Sequence, residues 1–177
     1  MNPKRSEIQA YARSLIGTPY QHQGRVPGVG LDCSGLVVAV ANHFGIGVSD
    51  YTGYNNRPDG MLAKRVGESF IRVRCDRCAP QVGDVLCFVG KRYPQHLAIR
   101  TDVGMVHALA DSLVVNETSL DERWTSRLLC VFEWPVALES DTLVLLEPRV
   151  ASVGGDEMPL RPRLQTKRQR CRDCKET

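Results

Sequence analysis

The sequence lacks any apolar run of the roughly 18 residues that a membrane-spanning helix needs. Its N-terminus carries charges, but no apolar segment follows them, so the sequence predicts no secretory signal. We therefore expect synthesis in the cytoplasm, with delivery to any target outside the cell by a route other than general export. The seven cysteines are an odd number, and without an export signal they argue against a disulfide framework.

An excess of charge of one sign is also missing. The net charge is +3 over 177 residues, which does not by itself predict nucleic-acid binding. Positive charge is concentrated only near the C-terminus, in Lys167, Arg168, Arg170, Arg172 and Lys175. Such a run fits contact with phosphates or an anionic wall polymer, and it equally fits a solvated terminus.

Helical patterns occupy the first part of the chain. Apolar spacing predicts an amphipathic helix over residues 5–16, capped by Ser6 and ended by Gly17. A second helix, apolar on most sides and therefore buried, is predicted over residues 33–44. Proline and several glycines predict that residues 17–31 between the two helices form an irregular loop.

Strand patterns follow a short helix predicted around residues 60–66. The predicted strands cover residues 70–74, 85–89, 97–100, 105–109, 112–116 and 128–132. Helices followed by strands predict an α+β fold in which N-terminal helices pack on an antiparallel sheet. We assign residues 1–138 to this domain. Residues 139–177 form a C-terminal extension with a candidate edge strand at 142–147 and then a proline-rich basic tail.

A cysteine stands where the irregular loop turns into the second helix. Asp32 is a suitable N-cap, which puts Cys33 in the first turn, where the helix dipole stabilises a thiolate. This position fits a catalytic nucleophile, and it also fits a small buried residue. A cysteine hydrolase needs in addition a base that takes the thiol proton and a group that orients that base.

Histidines that can act as the base are few: His22, His43, His96 and His107. His43 lies near the end of the second helix, which is typical of a surface histidine. His96 and His107 fall on consecutive strands, and a hairpin loop with an even number of residues places them on one face. We take the even loop as our hypothesis and expect Ala98, on that face, to leave room for the helix N-terminus with Cys33.

Four motifs in this order resemble those of the NlpC/P60 cysteine peptidases: Asp32–Val37 (DCSGLV), Gly83–Leu86 (GDVL), His96–Ile99 (HLAI) and Val106–Ala108 (VHA). The upstream segment Gly17–Arg25 (GTPYQHQGR) resembles the form found in phage tail and gene-transfer-agent peptidases. The resemblance covers about residues 5–135. It implies a papain-like fold and hydrolysis of peptidoglycan stem peptides, typically between γ-D-glutamate and the diamino acid, through thiolate attack and a thioester.

The resemblance also implies roles for individual residues. Cys33 would be the nucleophile, and His96 the general base that later returns the proton to the leaving amine. His107 would hold His96 in its working tautomer. The Tyr20 hydroxyl, together with the Cys33 N–H, would stabilise the oxyanion. With a depressed thiol pKa, a thiolate–imidazolium pair would exist near neutral pH.

Substrate-binding positions follow from the same resemblance. Asp32 and Ser34 match positions that in some members bind the free amine of the first alanine of the stem peptide, and Thr52 falls near another. His22 stands where cell-wall-recycling members often carry tryptophan, which departs from recognition of a free N-terminal dipeptide. The expected partners are the stem peptide and phage tail proteins. No metal or cofactor is implied, and nucleic acid is not expected.

Two features leave alternatives open. The pairs Cys75/Cys78 and Cys171/Cys174 fit a four-thiolate zinc site, and they equally fit four reduced thiols. Cys87 and Cys130 lie in predicted strands and are expected in the core. A loop with Tyr51, Tyr54, Asn55, Asn56 and Arg57 fits either a cleft wall or an exposed turn.

Three other function classes compete with the peptidase. The chain could be a non-catalytic structural protein of a tail, which would show no reactivity at Cys33 above that of a model thiol. It could be a papain-like thiol enzyme, such as a toxin, that acts on another substrate. Finally, the cysteine pairs and the basic tail could form a zinc and nucleic-acid module.

Overall fold

The structure is a computed structural model that describes residues 2–55, 59–73, 79–90 and 93–136, without the side chains of residues 72 and 73. The domain boundary at residue 138, the candidate edge strand at 142–147 and the two cysteine pairs lie outside the described residues. No helix in the described part of the chain is both long and apolar enough to cross a membrane.

The first helix, α1, spans Arg5–Ser14 and buries Ile8 and Ala12. It begins after Lys4, whose backbone N–H donates to the Glu7 carboxylate at 2.7 Å. The prediction that Ser6 caps this helix is therefore wrong, because the helix begins before that residue.

The second helix, α2, spans Cys33–His43, so its predicted start is confirmed and it ends one residue earlier than predicted. The Asp32 carboxylate caps it by accepting from the Gly35 N–H at 2.8 Å. The residues between the two helices are more regular than predicted. They contain an antiparallel ribbon of β1 (Arg25–Val26) and β2 (Gly30–Leu31).

A six-stranded antiparallel sheet, with strand order β3-β8-β4-β5-β6-β7, forms the rest of the domain. A short helix, α3 (Leu62–Gly67), precedes it. The strands are β3 (Ile71–Val73), β4 (Val85–Val89), β5 (Pro94–Arg100), β6 (Met105–Ala108), β7 (Val115–Thr118) and β8 (Leu128–Glu133).

Two elements between β6 and β8 differ from the prediction. The strand predicted at 112–116 begins three residues later, because Ala110–Ser112 form a 3₁₀ turn and Leu113 adopts φ 59°. A short helix, α4 (Glu122–Thr125), was not predicted. Periodicity cannot find a helix this short, since one turn contains no repeat of the apolar pattern.

The two faces of the sheet carry different cores. Helix α2 packs on the face that carries the alternate residues Leu97 and Ile99 of β5, and the buried Cys87 and Cys130 confirm the prediction that they are core residues. The opposite face holds a smaller cluster of Leu86, Phe88, Ala98, Met105 and Val131, against which Trp124 of α4 packs. The prediction that the N-terminus of α2 lies on the Ala98 face is therefore wrong.

Candidate active site

Cys33 is the first residue of α2 and is half-buried. It meets β5 through the backbone, because the Leu97 N–H donates to its sulfur. Pairing of β5 with β6 is confined to Ile99 and Arg100, so β6 leaves the preceding part of β5 uncovered. The nucleophile candidate thus contacts the residue that directly follows His96.

At neutral pH, Cys33 of the free protein is a protonated thiol and not a thiolate. Burial raises the pKa of Cys33 to about 11, and the neighbouring Asp32 carboxylate acts in the same direction. The Leu97 N–H and Ser34, which hydrogen-bond to the sulfur, act in the opposite direction. The expectation of a depressed thiol pKa is contradicted, since burial and a negative neighbour outweigh these contacts.

His96 and His107 lie on the same face of the sheet. The register pairs Ile99 with Val106 and Arg100 with Met105, so the hairpin loop is residues 101–104, an even number. His96 Nε2 and His107 Nδ1 lie 2.9 Å apart. The hypothesis of an even loop is confirmed.

A third residue extends this pair. His107 is fully buried, and its Nε2 lies 3.3 Å from the Thr118 hydroxyl oxygen. The Trp124 ring covers both imidazoles, with centroid distances of 5.6 Å to His96 and 5.2 Å to His107. Burial lowers the pKa of His107 to about 4. The pKa of His96 is lowered to about 3, mainly by burial and further by the nearby His107 and Arg127. Both rings are therefore neutral at pH 7.

Because both rings are neutral, the hydrogen bonds that join Thr118, His107 and His96 can run in either of two directions. If His107 donates from Nε2 to Thr118, its Nδ1 accepts from His96 Nε2–H, and His96 keeps a bare Nδ1. If Thr118 donates instead, His107 donates to His96 and the His96 proton is on Nδ1. Only the first arrangement leaves His96 a lone pair with which to accept the thiol proton. Sequence reasoning missed Thr118 because its contact depends on the register between β6 and β7.

A cleft of about 200 Å³ lies over Cys33. Five of the residues selected from the sequence line it: Tyr20, His22, Asp32, Cys33 and Ser34. From β5, Gln95 and Leu97 line the cleft, whereas the His96 ring lies on the other side of the strand against Phe88 and Trp124. Thr52 is exposed, and the described lining does not include it.

Tyr20 lies close to the nucleophile. Its backbone N–H donates to the Leu113 carbonyl at 2.7 Å, which fixes this part of the loop against the turn before β7. Burial raises the pKa of the Tyr20 hydroxyl, and the nearby Asp32 and Cys33 act in the same direction. The hydroxyl is therefore protonated and can donate a hydrogen bond next to Cys33.

The Asp32 carboxylate is buried, and each of its two oxygens accepts two hydrogen bonds. One oxygen accepts from the Gly35 N–H at 2.8 Å and from the Arg25 guanidinium at 3.1 Å. The other accepts from the Gln23 N–H at 2.7 Å and from the Tyr54 hydroxyl. Sequence reasoning missed Arg25 as part of this site, although it lies within the segment that carries the resemblance.

The described part of the aromatic loop is a cleft wall, which decides between the two interpretations for these residues, whereas Asn56 and Arg57 lie outside the described residues. Tyr51, Tyr54 and Asn55 line the cleft. His22 Nε2–H donates to the Tyr54 carbonyl oxygen at 3.0 Å, and the two rings meet edge to face at 5.3 Å. His43, in contrast, is exposed and stacks on Tyr11 at 3.6 Å, as expected for a surface histidine.

Metal-binding geometry is not found among the described residues, where no three His, Cys, Asp or Glu side chains are grouped to hold an ion. The interpretation of the two cysteine pairs remains a prediction, since they lie outside these residues.

Comparison with known proteins gives a family match. The sequence model of the NlpC/P60 family matches residues 17–133. A search of the curated proteins found no match. Among solved structures, an NlpC/P60 family protein from Bacillus cereus ATCC 10987 is 22% identical with a TM-score of 0.59, over 76% of this chain and 41% of that one.

Two further structures are similar. The NlpC/p60 domain of the peptidoglycan hydrolase SagA is 23% identical with a TM-score of 0.53, over 73% of this chain and 98% of that one. The peptidoglycan hydrolase RipB from Mycobacterium tuberculosis is 20% identical with a TM-score of 0.52, over 73% and 63%. The likeness confirms the predicted α+β fold. The chain spans 41% of the B. cereus protein and of a similar Staphylococcus aureus protein.

Proposed function

Because the chain belongs to the NlpC/P60 family, we propose that it is a cysteine peptidase that hydrolyses peptide bonds in the stem peptides of bacterial peptidoglycan. One observation carries this proposal: the Cys33 sulfur contacts β5 at Leu97, directly beside a histidine whose ring is held by a second, buried histidine. Two of the similar structures, SagA and RipB, are named peptidoglycan hydrolases, which supports the same substrate class here.

The proposed reaction begins from a neutral thiol and a neutral imidazole. In the free protein the His96 ring lies on the Trp124 side of β5, so this step requires the ring to turn towards Cys33. Its Nδ1 then takes the thiol proton while the Cys33 sulfur attacks the carbonyl carbon, and the charges form together with the tetrahedral oxyanion. The Cys33 N–H and the Tyr20 hydroxyl stabilise that oxygen. His96 then gives the proton to the leaving amine as the C–N bond breaks, and a thioester remains on Cys33.

Water resolves the thioester in the second half of the reaction. His96 takes a proton from the attacking water and returns it to the sulfur as the C–S bond breaks. In the arrangement in which His107 donates to Thr118, the proton of neutral His96 is on Nε2, so Nδ1 is available in both halves. The products are a free carboxylate and a free amine.

The finer substrate assignment is the bond between γ-D-glutamate and the diamino acid. The motif resemblance of Asp32–Val37 and His96–Ile99 to this family supports it. The segment Gly17–Arg25 further supports association with phage tail proteins and action at the cell wall. Detection of the protein in purified tail-like particles would test the second assignment.

Trapping of the acyl-enzyme tests the proposed chemistry. We expect a synthetic stem peptide, mixed with the protein and quenched in acid within milliseconds, to add the mass of its acyl part to Cys33 by intact-protein mass spectrometry. His96→Gln should abolish the adduct. Peptide cleavage by protein in which Cys33→Ala has removed the thiol would contradict the mechanism.

The rivals predict other outcomes of that assay. A papain-like enzyme acting on another substrate would leave stem peptides intact, yet Cys33 would still react selectively with electrophilic probes. A non-catalytic tail protein would show neither cleavage nor selective labelling.

A further inference from the structure

Cys87 and Cys130 lie directly opposite each other in the interior of the sheet. Cys87 belongs to β4 and Cys130 to β8, and the antiparallel register of these strands pairs one cysteine with the other. Both strands also have a partner on their other side, β5 beside β4 and β3 beside β8. Strand pairing on both sides therefore fixes the position of the two cysteines relative to each other.

The separation set by this pairing suits a disulfide. Residues directly opposite in an antiparallel pair have Cα atoms about 4.5 or about 5.5 Å apart, depending on which of the two kinds of pair they form. Disulfides span Cα distances of about 4.4–6.8 Å, so either kind of pair fits. Cys87 and Cys130 also belong to the same core, on the face of the sheet that α2 covers. A bond between the two sulfurs thus needs no change of register.

An irregularity beside the pair allows the small approach that bonding requires. Opposite Cβ atoms lie about 4.5–5.5 Å apart, whereas a disulfide brings them to about 3.5–4.5 Å. Cys130 pairs with Cys87, but the next residue of β4 pairs with Leu128, so Leu129 is an extra residue in β8. Such a bulge interrupts the ladder and bends its strand. The backbone of β8 is therefore less constrained directly next to Cys130 than in a regular ladder.

We propose that Cys87 and Cys130 are a disulfide site, which stays reduced when the chain folds in a reducing compartment and is linked when the chain folds in an oxidising one. The structure contains both residues as thiols. Because both are buried in the folded domain, the exchange takes place during folding, while an oxidant still reaches them. An odd number of cysteines argues against a framework of several disulfides and not against one link. The inference goes beyond the proposed function and does not depend on it.

The oxidant is a small-molecule disulfide such as oxidised glutathione. The thiolate of one cysteine attacks it, which forms a mixed disulfide and releases one glutathione thiolate. The thiolate of the other cysteine then attacks the protein sulfur of the mixed disulfide and releases the second glutathione thiolate. Each cysteine gives up one proton and each glutathione thiolate takes one up. The two cysteines lose two electrons in total, and the oxidised glutathione gains them.

The link would hold together two strands on which the active site depends. It closes a loop of about 40 residues, which constrains the unfolded chain, so we expect the unfolding temperature to rise by about 10 °C. Cys87 also pairs with Leu97 of β5, whose N–H donates to the Cys33 sulfur. Oxidation would thus tie β8 to the strand that lies next to the support of the nucleophile.

Oxidative refolding of the full chain tests the proposal. Denatured and reduced protein is refolded in a mixture of reduced and oxidised glutathione, and the remaining thiols are alkylated before digestion and mass spectrometry. We expect most of Cys87 and Cys130 in one crosslinked peptide pair, lighter by two hydrogen atoms than the two thiol peptides together. Recovery of both cysteines as alkylated thiols, or of either one linked to another cysteine such as Cys33, would overturn the inference.

Thermal unfolding of the refolded protein gives a second readout. The oxidised wild type should unfold about 10 °C above its own reduced form, whereas Cys130→Ala protein should show no such rise. Each protein is compared with its own reduced form, so the packing lost in the variant cancels. Cys33→Ala is the matched control, because it keeps the pair and should show the full rise. An equal rise in Cys130→Ala protein would overturn the inference.

The two readouts are independent of the proposed peptidase, since neither measures cleavage of a peptide. If Cys130→Ala protein does not fold, the crosslink map of the wild type decides the proposal alone.

Discussion

The hydroxyl of Thr118 is predicted to determine which nitrogen of His96 is free to accept a proton. Thr118→Val removes the hydroxyl and keeps the shape of the side chain. The His107 Nε2–H then loses its partner, at a site where His107 is fully buried. Leaving a buried donor unsatisfied costs about 1–3 kcal/mol.

The protein can avoid most of this loss of stability if the protons of the two histidines move to the other ring nitrogens. If His107 carries its proton on Nδ1 and donates to His96 Nε2, the unpaired N–H disappears, but the His96 proton is then on Nδ1, where the base is needed. A shift of about 1.4 kcal/mol changes the ratio of the two tautomers tenfold. We therefore expect kcat/KM to fall between about 5-fold and 100-fold while unfolding free energy changes by less than about 1 kcal/mol.

The assay combines cleavage kinetics on a synthetic stem peptide, thermal unfolding, and ¹⁵N NMR of the histidine rings, which distinguishes protonated from bare nitrogens. Thr118→Ser restores the hydroxyl and is expected to restore both the rate and the wild-type ¹⁵N shifts. A Thr118→Val protein with unchanged kcat/KM and unchanged His107 shifts would refute the role of Thr118 as a positioning residue.

Three further predictions follow from the same contacts. Since burial raises the pKa of Cys33 to about 11, its alkylation rate with iodoacetamide should still be rising at pH 9, and a plateau below pH 7 would contradict the neutral pair. The folded pKa of His107 is about 4 against 6.5 unfolded, so its contribution to stability is present above pH 6.5 and is lost as the pH falls towards 4. Between pH 7.5 and pH 5, the unfolding free energy of His107→Asn protein, measured with denaturant, should therefore fall by about 2 kcal/mol less than that of the wild type. Equal falls in the two proteins would count against the buried neutral ring. Gly35→Ala should unfold at a clearly lower temperature and release the Asp32 cluster, because its Cβ would lie 1.9 Å from the Gly24 carbonyl oxygen, whereas Gly47→Ala, with nothing within 4 Å, is the control that should change little.

Local chemistry explains which parts of the site could be predicted. Asp32 and Cys33 were placed correctly at the start of α2 because an N-cap and an apolar period are signals within a few residues. The shared face of His96 and His107 could be stated as a hypothesis, since it depends only on whether the loop length is even. Both inferences need neighbouring sequence and no knowledge of packing.

Contacts between distant segments account for what was missed. Arg25 connects the ribbon to Asp50 and Tyr54, and Thr118 meets His107 only through the pairing of β6 with β7. The thiol pKa was predicted in the wrong direction because a helix dipole can be inferred from position, whereas burial is known only after folding. The face of the sheet on which α2 packs was predicted wrongly for the same reason, because alternation along β5 does not say which side of the sheet a helix covers.

Release of peptide fragments from purified sacculi tests the central claim most directly. Sacculi are digested with the wild type and with Cys33→Ala protein of matched secondary structure, and mass spectrometry identifies the new termini. We predict soluble fragments with new γ-D-glutamyl carboxylates and new diamino-acid amines from the wild type alone. Equal release by the Cys33→Ala protein, or intact sacculi after digestion with folded wild-type protein, would contradict the assignment of this chain as a peptidoglycan cysteine peptidase.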